Sequence, residues 1–410
     1  MSPGGVVRPV SRQMRPDRAS TGGGVVHDLE CDMAVTLADV AAHARVSSAT
    51  VSRVLSGNYP VSEATRSRVL RAVEELDYVL NGPASALAAA TSDLVGILVN
   101  DIADPFFGII ASAAQSEMGG GAEQGGEKLA VVCNTGGSPE RELTYLTLLQ
   151  RQRAAAVVLT GGAAEVPEHA DALAAKLHRL AAAGTRIVLC GRPPLPEAAQ
   201  TPRTGRGRVR PADSADHAPE SSRTAVTLAF DNRGGARRLT EHLLSLGHRR
   251  IGYVAGPVDR TTTRHRLEGH RAALAAAGLS EGTERLTVHG SFDRSSGYDA
   301  TLELLRRDSE LTAVVAANDT IALGACAALR DQGRRIPQDV SVAGFDDLPF
   351  SVDAVPALTT VRLPLHAAGA RAGRLAMGRE TPPPGGVATI GAELMVRAST
   401  APPPHPDRTP

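Results

Sequence analysis

The sequence predicts two fold classes in series: a small all-α unit near the amino terminus, then a larger two-lobed α/β unit with parallel sheets. Three observations carry that expectation. Residues 36–76 hold three short segments whose apolar residues recur at helical spacing. From Leu94 onward, short apolar runs alternate with longer helical patterns, the order that gives parallel strands and right-handed crossovers. The runs are too many for one comfortable sheet, so two lobes follow.

The first helix is read from Leu37, Val40, Ala41 and Ala44, one apolar stripe at i, i+3, i+4 and i+7. Thr36 precedes it as N-cap, and Asp39 three residues on makes a capping-box-like pair. Arg45-Val46 is the turn, and Ser47 caps a second helix. There Val51, Val54 and Leu55 share the inward face, leaving Ser48, Ala49, Ser52 and Arg53 outward. A third helix is capped by Ser62, with Val69, Val73 and Leu76 as its stripe. Two short helices joined tightly, the second with a small polar outer face, have the shape of a DNA-reading helix-turn-helix. Small residues let a helix sink into the major groove. Arg53 can donate two bonds to a guanine, and Ala49 or Thr50 can touch a thymine methyl. Helical spacing alone fits a purely structural bundle equally well.

The residues themselves separate those readings. Thr36-Leu37-Ala38-Asp39-Val40-Ala41 and Val46-Ser47-Ser48-Ala49-Thr50-Val51-Ser52-Arg53-Val54-Leu55 resemble the headpiece of the lactose-repressor and galactose-repressor family of bacterial transcription regulators. The resemblance continues in the family's order to about residue 399. It passes through Asp101-Ile102-Ala103-Asp104-Pro105-Phe106-Phe107, Asp231-Asn232-Arg233-Gly234-Gly235-Ala236, Arg266-Leu267-Glu268-Gly269, Ala317-Asn318-Asp319, Gly344-Phe345-Asp346-Asp347 and Leu358-Thr359-Thr360-Val361, and ends at Ser399. It implies a headpiece over 34–80, a hinge helix over 81–92 and a periplasmic-binding-protein-like core over 93–399 that binds effector and dimerises. The lobe crossings are expected near 191, 356 and 380. It also implies DNA contacts from Thr36, Leu37, Ser47, Ser48, Ala49, Thr50, Ser52, Arg53, Asn58, Ala84 and Leu87. Leu87 matches the family's minor-groove wedge, a device that unstacks a base step; packing at the lobe junction is the alternative for it. Ser85 and Gly82-Pro83 depart from the family's pattern and put the polar contact beside that wedge in doubt. A helix this short does not hold together alone in water.

Composition sets limits. Lys plus Arg and Asp plus Glu number 44 each, for a net charge of zero. The headpiece balances too, Arg45, Arg53, Arg66, Arg68 and Arg71 against Asp39, Glu63, Glu74, Glu75 and Asp77. Charge alone therefore does not predict DNA binding, and affinity must rest on a few placed arginines, amide-to-phosphate bonds and dimerisation. Cys31, Cys133, Cys190 and Cys326 lack metal or redox spacing and read as free thiols of a reducing cytoplasm. No apolar run suits a membrane span. Residues 1–33, rich in Arg, Gly, Pro and Ser, have no apolar core of a secretory signal and read as disordered. Met33 directly precedes the headpiece, so either translation starts there or the extension is a dispensable tail. Gly-x-Ser-x-Gly, phosphate-loop and His-Glu-x-x-His motifs are missing, so neither an enzyme nor a cofactor is expected. An extracytoplasmic solute-binding protein would share the core but not the helix-turn-helix.

The strand candidates are Leu94–Val99, Leu129–Cys133, Ala155–Thr160, Arg186–Cys190, Thr227–Phe230, Arg250–Ala255, Leu286–His289, Ala313–Ala316, Val340–Gly344 and Thr359–Val361. Gly-rich residues 118–128 end a helix early. Residues 193–224, rich in Pro, Arg and Ser, read as a disordered insertion, and 400–410 as a tail.

Ligands of open parallel sheets bind beyond the carboxyl ends of the strands. That rule and the resemblance together select Asp104, Phe107, Thr160, Arg192, Arg266, Phe292, Asn318 and Asp346 as effector residues. Asp346 accepts from hydroxyls, Asn318 donates and accepts, Arg266 bridges neighbouring oxygens, and Phe292 stacks on an apolar face. The alternatives are a turn cap for Asp346 and a surface ion pair for Arg266. Asp104 stands where the family often has Asn, adding a charge. Phe106 and Phe107 read first as lobe-interface packing, with one of them lining the cleft. With no Trp and few aromatics, a sugar effector is favoured over a purine. The expected partners are operator double-stranded DNA, that small molecule and a second copy of the chain, with no membrane.

Overall fold

A computed structural model describes residues 35–56, 60–78, 92–119, 127–195 and 225–404. The chain divides into two compact units, Met1–Asn81 and Gly82–Pro410.

In the first unit, α1 spans Leu37–Ala44, α2 Ser48–Ser56 and α3 Glu63–Glu75. The predicted capping box is present: the Asp39 amide donates to Thr36 Oγ1 at 3.4 Å, and the Thr36 amide donates to Asp39 Oδ2 at 2.8 Å. Arg45 ends α1 in the left-handed region at φ 53°. The Val46 amide then reaches back to the Ala41 carbonyl, which turns the chain within two residues. Ser47 accepts from the Thr50 amide at 3.2 Å and starts α2. The core is Val40, Ala41, Ala44, Val51, Val69 and Ala72. The buried positions of α3 are thus Val69 and Ala72; Val73 is half-buried and Leu76 is the C-cap. A core of such small side chains brings the helices close but buries little apolar area.

The second unit alternates strand and helix. Its first lobe contains β1 (Leu94–Val99), α4 (Pro105–Ser116), β2 (Leu129–Asn134), α5 (Pro139–Arg151), β3 (Ala156–Thr160), α6 (Pro167–Ala182), β4 (Arg186–Cys190) and β5 (Val226–Phe230). α12 (Leu365–Met377) and β11 (Val387–Ile390) return to it later. The six strands are all parallel, in the order β11-β5-β4-β3-β1-β2. Side chains alternate between two core layers: Val95, Ile97, Val158 and Val188 on one face, Leu98, Val157, Leu159 and Leu189 on the other. Burial on both faces explains why β1, β3 and β4 read as unbroken apolar runs.

The second lobe contains α7 (Asn232–Ser245), β6 (Ile251–Ala255), α8 (Thr261–Ala276), β7 (Thr287–His289), α9 (Arg294–Arg307), β8 (Ala313–Ala316), α10 (Asp319–Asp331), β9 (Ser341–Ala343), α11 (Phe350–Asp353), β10 (Thr360–Arg362) and β12 (Glu393–Met395). Its parallel sheet runs β7-β6-β8-β9, beside an antiparallel β10–β12 pair.

The lobe crossings differ from expectation. Crossing near 191 is excluded because Val188 to Cys190 pair in register with Val226 to Leu228, so the 193–224 stretch lies between two neighbours of one sheet. The chain first crosses after Phe230, again between Arg362 and Leu365, and finally between Ile390 and Glu393, rather than near 356 and 380. A Pro-rich stretch resembles a boundary in composition, but parallel pairing across it depends on distant partners. β11 and β12 escaped the sequence reading because they are short and half-exposed. All but the last residue of the expected hinge over 81–92, the extension over 1–33, most of the insertion and the end of the tail lie outside the described residues.

α12 packs on α4 at a backbone-to-backbone approach. A Cβ at Gly369 would sit 2.4 Å from the Ile110 carbonyl oxygen, and one at Gly373 2.5 Å from that of Ala114. Gly369→Val forces the helices apart and lowers stability by about 1–3 kcal/mol, as overpacking does. Chemical denaturation measures this against Gly391→Ala, where nothing lies within 4 Å and no loss is expected.

Candidate functional site

On α2, Ser48, Ala49, Ser52 and Arg53 are exposed and Val51 is fully buried. Thr50 is half-buried, with its hydroxyl 2.9 Å from Ser47 Oγ. The helix therefore presents a narrow ridge of small side chains with Arg53 toward its carboxyl end. Thr36 is exposed in its capping box, and Leu37 packs partly into the core. Asn58, Ala84 and Leu87 lie outside the described residues.

The second unit holds a cleft of about 550 Å³ between its lobes. Loops after the carboxyl ends of β1, β2 and β3 form one wall, and loops after β6, β7, β8 and β9 the other. Six of the eight expected effector residues meet there: Asp104, Phe107, Arg266, Phe292, Asn318 and Asp346. Thr160 and Arg192 do not. Thr160 is fully buried and donates to the Leu98 carbonyl at 2.8 Å. Arg192 forms a buried bidentate pair with Glu142 on α5, at 2.7 and 3.0 Å. The strand-end rule locates these positions in the fold but not the side on which their side chains fall. At the ends of β3 and β4, Gly161 (φ 74°) and Gly191 (φ 89°) make the turns, and it is Gly161 that lines the cleft.

Arg266 organises the wall of the second lobe. It is 3% exposed, so every donor needs a partner. Nε donates to Asn232 Oδ1 at 2.8 Å, Nη1 to the Ala317 carbonyl at 2.5 Å and Nη2 to Asp346 Oδ1 at 2.7 Å. Its guanidinium carbon lies 3.8 Å above the centre of the Phe345 ring. The pair with Asp346 is therefore interior, not a surface bridge. Asp346 and Asp347 both have positive φ, 108° and 55°, a costly conformation for residues with a Cβ. It is held by the Asp346 amide bonding to the Val361 carbonyl at 2.8 Å, and by Arg362 and Arg397 gripping the Asp347 carboxylate at 2.7 and 2.6 Å.

Burial pushes Asp346 up to about 7, against the opposing pull of Arg266. Asp319 behind it is pushed up to about 6 by burial, though it accepts from Thr360, Ser351 and the Leu348 amide. Asn318 caps α10 through Oδ1, 2.8 Å from the Ile321 amide. Its Nδ2 has no protein partner among the described residues. One aromatic ring comes from each lobe. Phe107 covers Gly161, where a Cβ would be 2.6 Å from the ring, and Phe292 covers Gly256, where a Cβ would be 2.3 Å away. Phe106 also lines the cleft, edge-on to Phe107 at 5.0 Å.

Sequence reading missed part of the lining, notably Asn100, Asp101, Gly136, Gly137, Arg260, Thr262 and Ser291. All follow strand ends, so the same rule, applied to every loop, finds them. It also missed a direct contact between the lobes. The Glu165 amide donates to the Asp259 carbonyl at 2.7 Å, the Thr261 amide to the Ala163 carbonyl at 3.1 Å, and Arg264 Nε to Glu165 Oε1 at 2.7 Å.

Residues 36–81 match the model of "Bacterial regulatory proteins, lacI family", and residues 240–400 that of a "Periplasmic binding protein-like domain". The regulator CelR of Thermobifida fusca is 35% identical over 380 residues, covering 89% of this chain and 98% of its own. A CelR–cellobiose complex has 34% identity and a TM-score of 0.56, covering 89% of this chain and 99% of that one. A lac repressor dimer bound to operator and an anti-inducer has 26% identity and a TM-score of 0.66, covering 90% and 99%. These relatives are regulators rather than enzymes, and the chain belongs to the lacI family of bacterial transcriptional regulators.

Proposed function

We propose that this chain is a homodimeric repressor, located in the cytoplasm, that reads a near-palindromic operator through α2 and is controlled by a sugar or sugar derivative held in the cleft. The observation that carries the effector reading is the wall around Arg266, where an interior ion pair, an Asn318 amide with no partner among the described residues and the Phe292 ring face the loops of the other lobe. Polar groups that donate and accept, next to aromatic faces, match a ligand with hydroxyls on its rim and C–H groups on its faces. The solved relatives supply the analogy: one holds cellobiose, and another is a dimer on operator DNA. No helix among the described residues is long and apolar enough to cross a membrane.

Control follows from differential affinity. An effector that binds one arrangement of the lobes better than the other shifts their equilibrium by that difference and no more. The Ala163–Glu165 segment bonded to Asp259–Arg264 is the natural place for the difference to act, because lobe motion must break or keep those bonds. Two copies place two α2 helices on two half-sites, so any motion that changes their spacing changes operator affinity.

Thermal unfolding of the full chain against a panel of mono- and disaccharides tests the effector reading. A ligand at one hundred times its dissociation constant stabilises by about 2.7 kcal/mol, and a panel without any shift overturns it. Asp346→Asn keeps an acceptor for Arg266 but removes its counter-charge, so circular dichroism first checks the fold; the folded variant is expected to keep operator binding and weaken effector-driven release at least tenfold, read by anisotropy on labelled operator. Arg266→Ala is a poorer probe, because it strands a buried carboxylate at a cost of about 3–5 kcal/mol. Arg53→Ala is expected to lose about 1–3 kcal/mol of operator discrimination while binding to random DNA changes little. Equal losses on both DNAs remove Arg53 as a base reader.

A further inference from the structure

The charges of the cleft do not balance. Arg266 is neutralised by Asp346, and Arg260 is held by the Gly137 carbonyl, with Asp259 3.8 Å away. That leaves Asp101, Asp104 and Asp293 on the lining with no ion pair among the described residues. Each has one carboxylate oxygen occupied by a backbone amide: Ala103 at 3.0 Å, Phe106 at 2.9 Å and Ser296 at 2.7 Å. The second oxygen of each has no protein partner among the described residues; Asp104 is half-buried, while Asp101 and Asp293 are exposed at the cleft's rim. Burial raises Asp104 above its ordinary range, the neighbouring Asp101 adds to this, and Arg266 offsets it only in part. The Asp104 carboxylate therefore lacks donors and gains from any that a ligand brings.

The positions of these carboxylates matter as much as their number. Asp104 is the N-cap of α4 and Asp293 the N-cap of α9. A helix N-terminus is otherwise a ready seat for phosphate or carboxylate, because free amides and the positive end of the dipole face the ligand. Here two such ends on the cleft are already filled by side-chain anions. Asn318 caps α10 without charge, and its unpartnered Nδ2 lies on a residue 4% exposed. The cleft thus combines uncharged donors with surplus acceptors.

We propose that the cleft selects uncharged or amine-bearing sugars and rejects phosphorylated or acidic ones, with Asp104 and Asp293 as the discriminating residues. Hydroxyl and ammonium groups donate to the free carboxylate oxygens. A phosphate or carboxylate meets like charge at both helix ends. The proposal rests on the reading of this cleft as the effector site.

The test compares the full chain with Asp104→Asn and with the double variant Asp104→Asn/Asp293→Asn. Asn is as good an N-cap as Asp, so the helix ends are retained; unchanged circular dichroism checks this. The probes are inorganic phosphate, glucose 6-phosphate, glucose, glucosamine and cellobiose, followed by calorimetry at low and high salt. The expected result is that millimolar phosphate and glucose 6-phosphate leave the parent's melting midpoint unchanged, and that the double variant binds both at least tenfold tighter than the parent. The gain shrinks with salt and does not occur in Asp171→Asn, an exposed site on α6. The proposal is overturned if the parent binds glucose 6-phosphate as tightly as any neutral probe, or if the double variant gains no affinity for either anion. Should the anion arm behave as expected while no neutral or amino sugar binds any form, the charge selection stands and the sugar reading fails. A neutral sugar that binds alongside an equally tight phosphate gives the reverse.

Discussion

A guanidinium withdrawn from water must find a partner for each of its nitrogens, and Arg266 does so with groups from three separate segments. Asn232 opens α7, Ala317 follows β8, Phe345 and Asp346 follow β9, and Arg266 itself lies on α8. Losing any one partner would leave an unsatisfied charge in the interior, so the segments are constrained together. The strained backbone at Asp346-Asp347 persists inside this set of bonds and beneath the grip of Arg362 and Arg397. One wall of the cleft is thereby rigid before any ligand arrives, which favours binding by reducing the order a ligand has to impose.

The opposite wall is built differently. Loops after β1, β2 and β3 offer backbone, the Phe107 ring and the carboxylates of Asp101 and Asp104. A wall fixed by a buried ion pair faces one made of loops, and a short hydrogen-bonded strap joins the two lobes at 163–165 and 259–264. Each lobe keeps its own sheet, and the lobes are joined by the three chain crossings, this strap, the Arg260 bond to the Gly137 carbonyl and apolar packing shared between them. Two packed sheets with a cleft between them and a limited set of connections are the arrangement expected of a switch.

Much of this was legible in the chain itself. The caps Thr36, Ser47 and Ser62, the three helices and the ten apolar runs all match elements of the structure. Such signals are local: a capping oxygen serves an amide two or three residues away, and an apolar run marks a strand because both its faces are covered. Six of the eight positions expected at the cleft were also within reach, since the ends of parallel strands can be located once the strands are. Thr160 and Arg192 were not. Their side chains turned to the Leu98 carbonyl and to Glu142, partners 62 and 50 residues away. The crossing after Phe230 was hidden for the same reason, since composition at 193–224 does not reveal that β5 pairs with β4.

By itself the sequence determined the order of elements, their caps and the exposed face of α2, because each depends on residues within a turn or two of one another. Only the tertiary structure decided which charges on the cleft are cancelled and which stay open. Asp346 is neutralised by an arginine 80 residues earlier, while among the described residues Asp104 and Asp293 bond only to their own helix ends. Charge pairing acts through space at a few ångströms, and the chain distance between partners carries no trace of it.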